Sequence, residues 1–176
     1  NRECQIAHRP QHKKACKKRA AELYDEKLFK EPLPPREECP ICMLPLPLYV
    51  NHTGMTFKPC CGKNICLGCV DTMMESGGMN NDLCAFCRTP RSRSDEEEVN
   101  RVKKLVDAGN AGACYQLAGY YDRGIRGFPQ DSAKTNELLL KAGQLGYADA
   151  YFNLGNNYDN GRGVEVDTKK AIHYWE

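Results

Sequence analysis

From Ser94 onward the apolar residues fall at helical spacing. Val99, Val102 and Val106 form one stripe. The stripe follows Ser94-Asp95-Glu96-Glu97, which reads as a capping box with Ser94 as cap and Glu97 reaching back. It runs out at Ala108-Gly109. Ala113, Leu117 and Tyr121 then recur as Ala150, Leu154 and Tyr158, thirty-seven residues later. Each triplet puts a small, a large and an aromatic residue on one helical face. Such a period predicts stacked helical pairs. Gly124 with Gly127, and Gly161 with Gly163, mark turns that need positive φ. Asp131 and Asp167 stand where each second helix needs a cap. Cys114 falls on a repeat helix and reads as a small buried hydrophobe. Residues 13–31 are also rich in helix formers, and Pro32, Pro34 and Pro35 end that stretch. Between 37 and 90 the helical pattern breaks. Leu44-Pro45-Leu46-Pro47-Leu48 predicts a loop, Thr56-Phe57-Lys58 a short strand, and Val70 to Glu75 one short helix.

That irregular stretch holds eight of the eleven cysteines, as Cys39-x2-Cys42, Cys60-Cys61, Cys66-x2-Cys69 and Cys84-x2-Cys87. Short paired spacings suit tetrahedral zinc and strain a disulfide. Eight ligands fill two structural sites. The stretch is too short and polar for a large core, so metal must supply much of its folding energy.

Composition narrows the remaining classes. The chain has 176 residues, 41% of them hydrophobic, enough for one ordinary domain or two or three small ones. A net charge of +2 argues against wholesale nucleic-acid binding. Cysteines used as thiolates point to an intracellular, reducing compartment, cytoplasm or nucleus. No run of eighteen apolar residues offers a membrane span. The basic cluster Lys13, Lys14, Lys17, Lys18, Arg19 reads as a solvated helix face or a nuclear-localisation patch.

Cys39-Pro40-Ile41-Cys42, Cys60-Cys61-Gly62-Lys63-Asn64-Ile65-Cys66-Leu67-Gly68-Cys69 and Cys84-Ala85-Phe86-Cys87-Arg88 together resemble a RING finger. The resemblance implies a small zinc-stabilised α+β domain with cross-braced ligands. Cys39, Cys42, Cys66 and Cys69 would hold one zinc, and Cys60, Cys61, Cys84 and Cys87 the other. The pattern departs from the family where Cys60 and Cys61 are adjacent, where Lys63 stands in place of a histidine, and where Ala85 replaces a proline. The resemblance to all-cysteine RING fingers implies Cys61 as the fourth ligand of the second site, with His52 as the alternative. Cys4-x7-His12-x3-Cys16 is similar to the end of a MYND-type zinc finger, with Cys4, His12 and Cys16 as partial ligands whose partners lie outside this sequence. Leu154-Gly155-x2-Tyr158-x2-Gly161-x-Gly163-Val164-x2-Asp167-x2-Lys170-Ala171-x3-Trp175 resembles Sel-one-like repeats, relatives of tetratricopeptide repeats.

The expected architecture is a MYND remnant over 1–16, a helix and Pro-rich linker over 17–36, and a RING over 37–90. A linker with a capped helix over 91–110 and all-α helical repeats over 111–176 complete it, the second repeat truncated. Both ends read as cuts through domains of a longer protein. No Ser/His/Asp grouping, phosphate loop or HExxH accompanies this. The resemblance implies that the chain acts as a RING-type ubiquitin-protein ligase. Ile41 and Met73 would dock a ubiquitin-conjugating enzyme, Arg88 would bridge that enzyme and ubiquitin, and the repeats would hold a protein substrate. The other reading is a non-catalytic interaction scaffold built of zinc fingers and repeats. A third is a thiol redox or metal sensor.

Overall fold

The computed structural model of the chain describes residues 18–19, 37–47, 54–75 and 82–176. Lys18 and Arg19 are helical and belong to one unit, Asn1–Arg36. Everything else described belongs to a second compact unit, Glu37–Glu176.

That second unit begins with a cysteine-rich module built on a β-hairpin. Strands β1 (Met55–Lys58) and β2 (Lys63–Cys66) pair antiparallel, Met55 opposite Cys66 and Lys58 opposite Lys63. The turn is tight because the Lys58 carbonyl accepts from the N–H groups of both Cys61 (3.2 Å) and Gly62 (2.8 Å). Gly62 takes φ 67°, a left-handed conformation open to glycine at little cost. Helix α1 (Leu67–Glu75) follows β2 directly, starting three residues before the expected Val70. The module's buried centre is very small: Cys39, Leu46 and Ile65, flanked by Met55, Val70 and Ala85. Buried Asn64 donates to a Glu37 carboxylate oxygen at 3.0 Å. Among the described residues of the module, Cys84 is the one further buried apolar side chain, and four are too few to hold it by burial alone.

The helices form the larger part. They are α2 (Asp95–Asp107), α3 (Ala111–Arg123), α4 (Ser132–Gln144), α5 (Ala148–Asn160) and α6 (Thr168–Trp175). Each packs on the next in sequence. One continuous core runs through them, from Val99 and Val102 through Ala113, Leu117 and Tyr120 to Leu139 and Leu154. The caps explain the starts. Ser94, Asp131 and Asp167 each accept from a backbone N–H in the first turn of their helix. The capping box is only half formed. Glu97 accepts from the N–H of Arg93 at 2.9 Å and pairs with Arg101, in place of the expected reach-back to Ser94. Gly124 and Gly161 close α3 and α5 in the left-handed conformation. Cys114 is fully buried. No helix among the described residues is long and apolar enough to cross a membrane.

The extra loop residue of the first repeat lies near a polar anchor. Arg126 pairs with Asp95 and, at 3.1 Å, with Glu98, and its guanidinium lies over the Tyr120 ring. Tyr120 is buried and donates its hydroxyl to Glu98 at 2.7 Å. Burial, together with that carboxylate, pushes the phenol up to about 12, so it stays a donor. The α3–α4 loop is thereby tied to the start of α2.

The hairpin and the helices share contacts. Phe57 of β1 packs against the helical core and lies over Gly112, where an added Cβ would meet its ring at 3.1 Å. Asn110 serves both sides. Its Oδ1 accepts from Ala113 N at 2.8 Å, capping α3, while its Nδ2 donates to the Gly62 carbonyl at 3.2 Å. Asn110→Ala should destabilise the unit by about 1–3 kcal/mol, the sum of a lost cap and a lost tertiary hydrogen bond. Asn110→Asp keeps the cap and loses the donor. Urea titration should place it between wild type and Ala, and equal losses for both variants would assign the whole effect to the Gly62 contact.

Candidate functional site

Two cysteine pairs sit on matching loops. Cys39 N–H bonds to the Leu44 carbonyl, and Met43 N–H returns to the Cys39 carbonyl, both at 2.9 Å. Cys84 N–H bonds to the Thr89 carbonyl at 2.8 Å, and Arg88 N–H returns to the Cys84 carbonyl at 2.9 Å. Met43 (φ 59°) and Arg88 (φ 61°) occupy the same place in each loop, both left-handed. Neither is glycine, so each position carries a local cost of about 1–2 kcal/mol that the surrounding loop must offset. A bridge joins Glu38 to Pro45 at the base of the first loop and Leu83 to Pro90 at the base of the second. The hairpin supplies the other ligands: Cys60 and Cys61 from its turn, Cys66 from the end of β2, and Cys69 from the first turn of α1.

The folding brings the eight sulfurs together in two interleaved groups. One holds Cys39, Cys42, Cys66 and Cys69, the other Cys60, Cys61, Cys84 and Cys87. Within each group all four sulfurs lie within 4.8 Å of one another. Cys39 and Cys69 sulfurs are 3.9 Å apart, Cys42 and Cys66 3.8 Å, and Cys60 and Cys87 3.4 Å. A disulfide would need about 2.05 Å. A tetrahedral ion with metal–sulfur bonds of about 2.3 Å separates its ligands by about 3.8 Å. The donor set and its spacing therefore fit a metal ion in each group.

Crowding of the sulfurs divides the acidity of the thiols. Burial opposes ionisation of Cys39, but N–H groups of Cys42, Cys66 and Ile41 overcome it and bring the thiol down to about 6. Burial likewise opposes Cys87, and Thr89, whose hydroxyl lies 3.1 Å from Sγ, brings it down to about 6. Their neighbours move the other way. Burial, with the adjoining sulfurs, pushes Cys69 up to about 12 and Cys61 up to about 11. Sulfurs this close cannot all be thiolates by themselves. A divalent cation removes the conflict.

Of the residues expected to dock a partner, Ile41 is 36% exposed, Arg88 is exposed, and Met73 is half-buried. Met74, beside it, is 49% exposed. Among the described residues of the module, Met43, Leu44 and Phe86 are further exposed apolar side chains to which the sequence had assigned no docking role. Phe86 had a signal, an aromatic residue inside the last Cys-x2-Cys where the polypeptide has no room to bury it. Cys4, His12, Cys16 and His52 lie outside the described residues.

Comparison with known proteins bears on the helical part. The Sel1 repeat family model matches residues 111–147 and 148–176. Residues 111–176 are Sel1 repeats. Such repeats are a protein-interaction fold. Among solved structures, the chain is similar to a Sel1 repeat protein from Oxalobacter formigenes (24% identity over 49% of this chain and 34% of that one, TM-score 0.43). It is also similar to cysteine rich protein B of Helicobacter pylori (20% identity, 61% of this chain and 69% of that one, TM-score 0.44). A third is a protective antigen of uropathogenic Escherichia coli displaying an SLR fold (26% identity, 63% of this chain and 24% of that one, TM-score 0.44). The matched region thus spans about a third of the Oxalobacter chain and about a quarter of the Escherichia chain.

Proposed function

We propose that the cysteine-rich module is an all-cysteine RING finger holding two zinc ions, and that the chain is part of a RING-type ubiquitin-protein ligase of the cytoplasm or nucleus. The observation that carries this reading is the interleaving of the two four-sulfur groups, Cys39, Cys42, Cys66 and Cys69 against Cys60, Cys61, Cys84 and Cys87. Zinc so held has four thiolates and no open position for water, so its contribution is to folding. The ligase itself forms no covalent intermediate. Ile41 and the neighbouring helix α1 would engage a conjugating enzyme, and Arg88 would bridge that enzyme and its ubiquitin. The Sel1 repeats would hold the substrate. In the transfer, a substrate lysine amine attacks the thioester carbonyl, a C–N bond forms, the C–S bond breaks, and the conjugating enzyme recovers its thiol. The ligase accelerates this step by orientation.

The test is single-turnover discharge of ubiquitin-loaded conjugating enzymes onto free lysine, with a binding titration alongside. Ile41→Ala should weaken docking and transfer together, because small interfaces concentrate their energy in a few apolar anchors. Arg88→Ala should spare docking and slow transfer roughly ten- to hundredfold, the equivalent of about 1.4–2.8 kcal/mol. If the zinc-loaded wild-type chain accelerates discharge from no conjugating enzyme in a broad panel, the ligase reading is wrong and a non-catalytic interaction scaffold takes its place.

A further inference from the structure

One groove, of about 480 Å³, is lined by β1 of the cysteine-rich module on one side and by α3, α4 and α5 of the Sel1 repeats on the other. Its chemistry is uneven. Phe57 supplies an apolar wall. Gly119 leaves the α3 side open, since a Cβ there would meet only the Arg123 guanidinium. Asn156, the repeat equivalent of Gly119, brings a side-chain amide with no hydrogen-bond partner among the described residues. Asn153 donates its amide to the Tyr115 hydroxyl at 2.7 Å, which leaves its carbonyl as an acceptor. Amides that donate and accept at intervals match the alternating groups of an extended polypeptide backbone.

Two cations face the same space. Arg123 ends α3 and Arg162 follows α5. Both are exposed, and neither pairs with a carboxylate among the described residues. Arg123 spends only its Nε, on the Gly119 carbonyl at 3.1 Å. One acid, Asp122, shares the lining. The arginines come from successive repeats, so they form two separate stations. That arrangement suits acidic side chains spaced along a segment better than a single terminal carboxylate.

We propose that this groove binds an extended, acidic internal segment of a partner protein, with its backbone on Asn153 and Asn156 and its carboxylates on Arg123 and Arg162. The inference deepens the substrate-recruiting part of the proposed function and rests on that reading. A segment held there touches Phe57 and is therefore seated against the cysteine-rich module.

The experiment uses the full, zinc-loaded chain against an array of short, random-sequence peptides blocked at both ends. The strongest binders should be enriched in Asp and Glu. Fluorescence anisotropy on those binders should show affinity falling by roughly tenfold or more in the Arg123→Glu/Arg162→Glu variant, with the array preference turned toward Lys and Arg. Asp122→Asn should tighten binding. Circular dichroism should not change, because both arginine side chains are solvent-exposed. Absence of binders, binders without acidic enrichment, affinity indifferent to the double substitution, or a requirement for a free C-terminal carboxylate would each overturn the proposal. No conjugating enzyme or ubiquitin is present, so failure of the discharge assay leaves this result standing. Conversely, failure here leaves discharge onto free lysine unchanged.

Discussion

Reconstituted with zinc and then stripped by a chelator, the chain is expected to release two ions and lose the fold of its cysteine-rich module. Among its described residues the module buries a small centre, Cys39, Leu46 and Ile65, with Cys84 beside the second group of sulfurs, so little else opposes the conformational entropy of some fifty residues. Structural zinc sites contribute roughly 10–16 kcal/mol at neutral pH, more than the stability of a typical small domain. The effect should not stop at the hairpin. Once β1 and β2 unravel, Phe57 leaves Gly112 and Asn110 loses the Gly62 carbonyl. The helices should survive with a melting midpoint lowered by roughly 5–15 °C, at about 4–8 °C per kcal/mol for a segment of this size. Metal analysis combined with circular dichroism checks both halves. One ion per chain, or a hairpin whose exchange protection outlasts chelation, would sink the assignment.

The second large effect is expected at Gly163. It takes φ 68°, and an added Cβ would meet the Ser132 carbonyl carbon at 2.5 Å and Ala133 N at 2.8 Å. Those are backbone atoms at the start of α4, which cannot swing aside as a side chain would. Gly163→Ala should therefore cost about 2–5 kcal/mol, combining the left-handed penalty with overpacking. Gly127 in the first repeat is the internal control. Its φ is 80°, but nothing lies within 4 Å of its would-be Cβ. Gly127→Ala should cost only about 1–2 kcal/mol. Equal losses in thermal or urea unfolding would mean that the contact between repeats at Ser132 contributes nothing.

The difference between those glycines shows what a sequence can and cannot carry. Both glycines were legible as turn positions, because the repeat period aligns them. Which one is pressed against backbone was not, since that depends on how one repeat stacks on its neighbour. The caps at Asp131 and Asp167 were legible for the same local reason: an N-cap bonds within its own first turn. Glu97 illustrates the limit, because its carboxylate prefers Arg93 N–H and Arg101 to Ser94, a choice between near-equal partners that spacing does not encode. That eight cysteines make two groups of four was legible in their paired spacing, but which pairs share a group was not, and came from the resemblance to a RING finger. The two left-handed residues that shape the loops, Met43 and Arg88, carry no sequence mark, being neither glycine nor asparagine. The junction was the least legible part. Asn110 and Gly62 are 48 residues apart, and Phe57 reads as an ordinary strand residue until Gly112 is placed beneath it.

That junction also changes what kind of machine two such modules make. Modules strung on a floppy tether sample a volume, and the local concentration of one near the other is set by tether length. Here the tether is short-circuited, because Phe57 and Asn110 clamp hairpin to helix. Cargo held on the helices would therefore be offered to anything docked on the hairpin at one bearing, as on a jig. On the ligase reading proposed above, only substrate lysines lying along that bearing would come within reach. Lengthening the segment between Pro90 and Ser94 should leave the choice of lysine unaltered, whereas loosening the clamp should blur it.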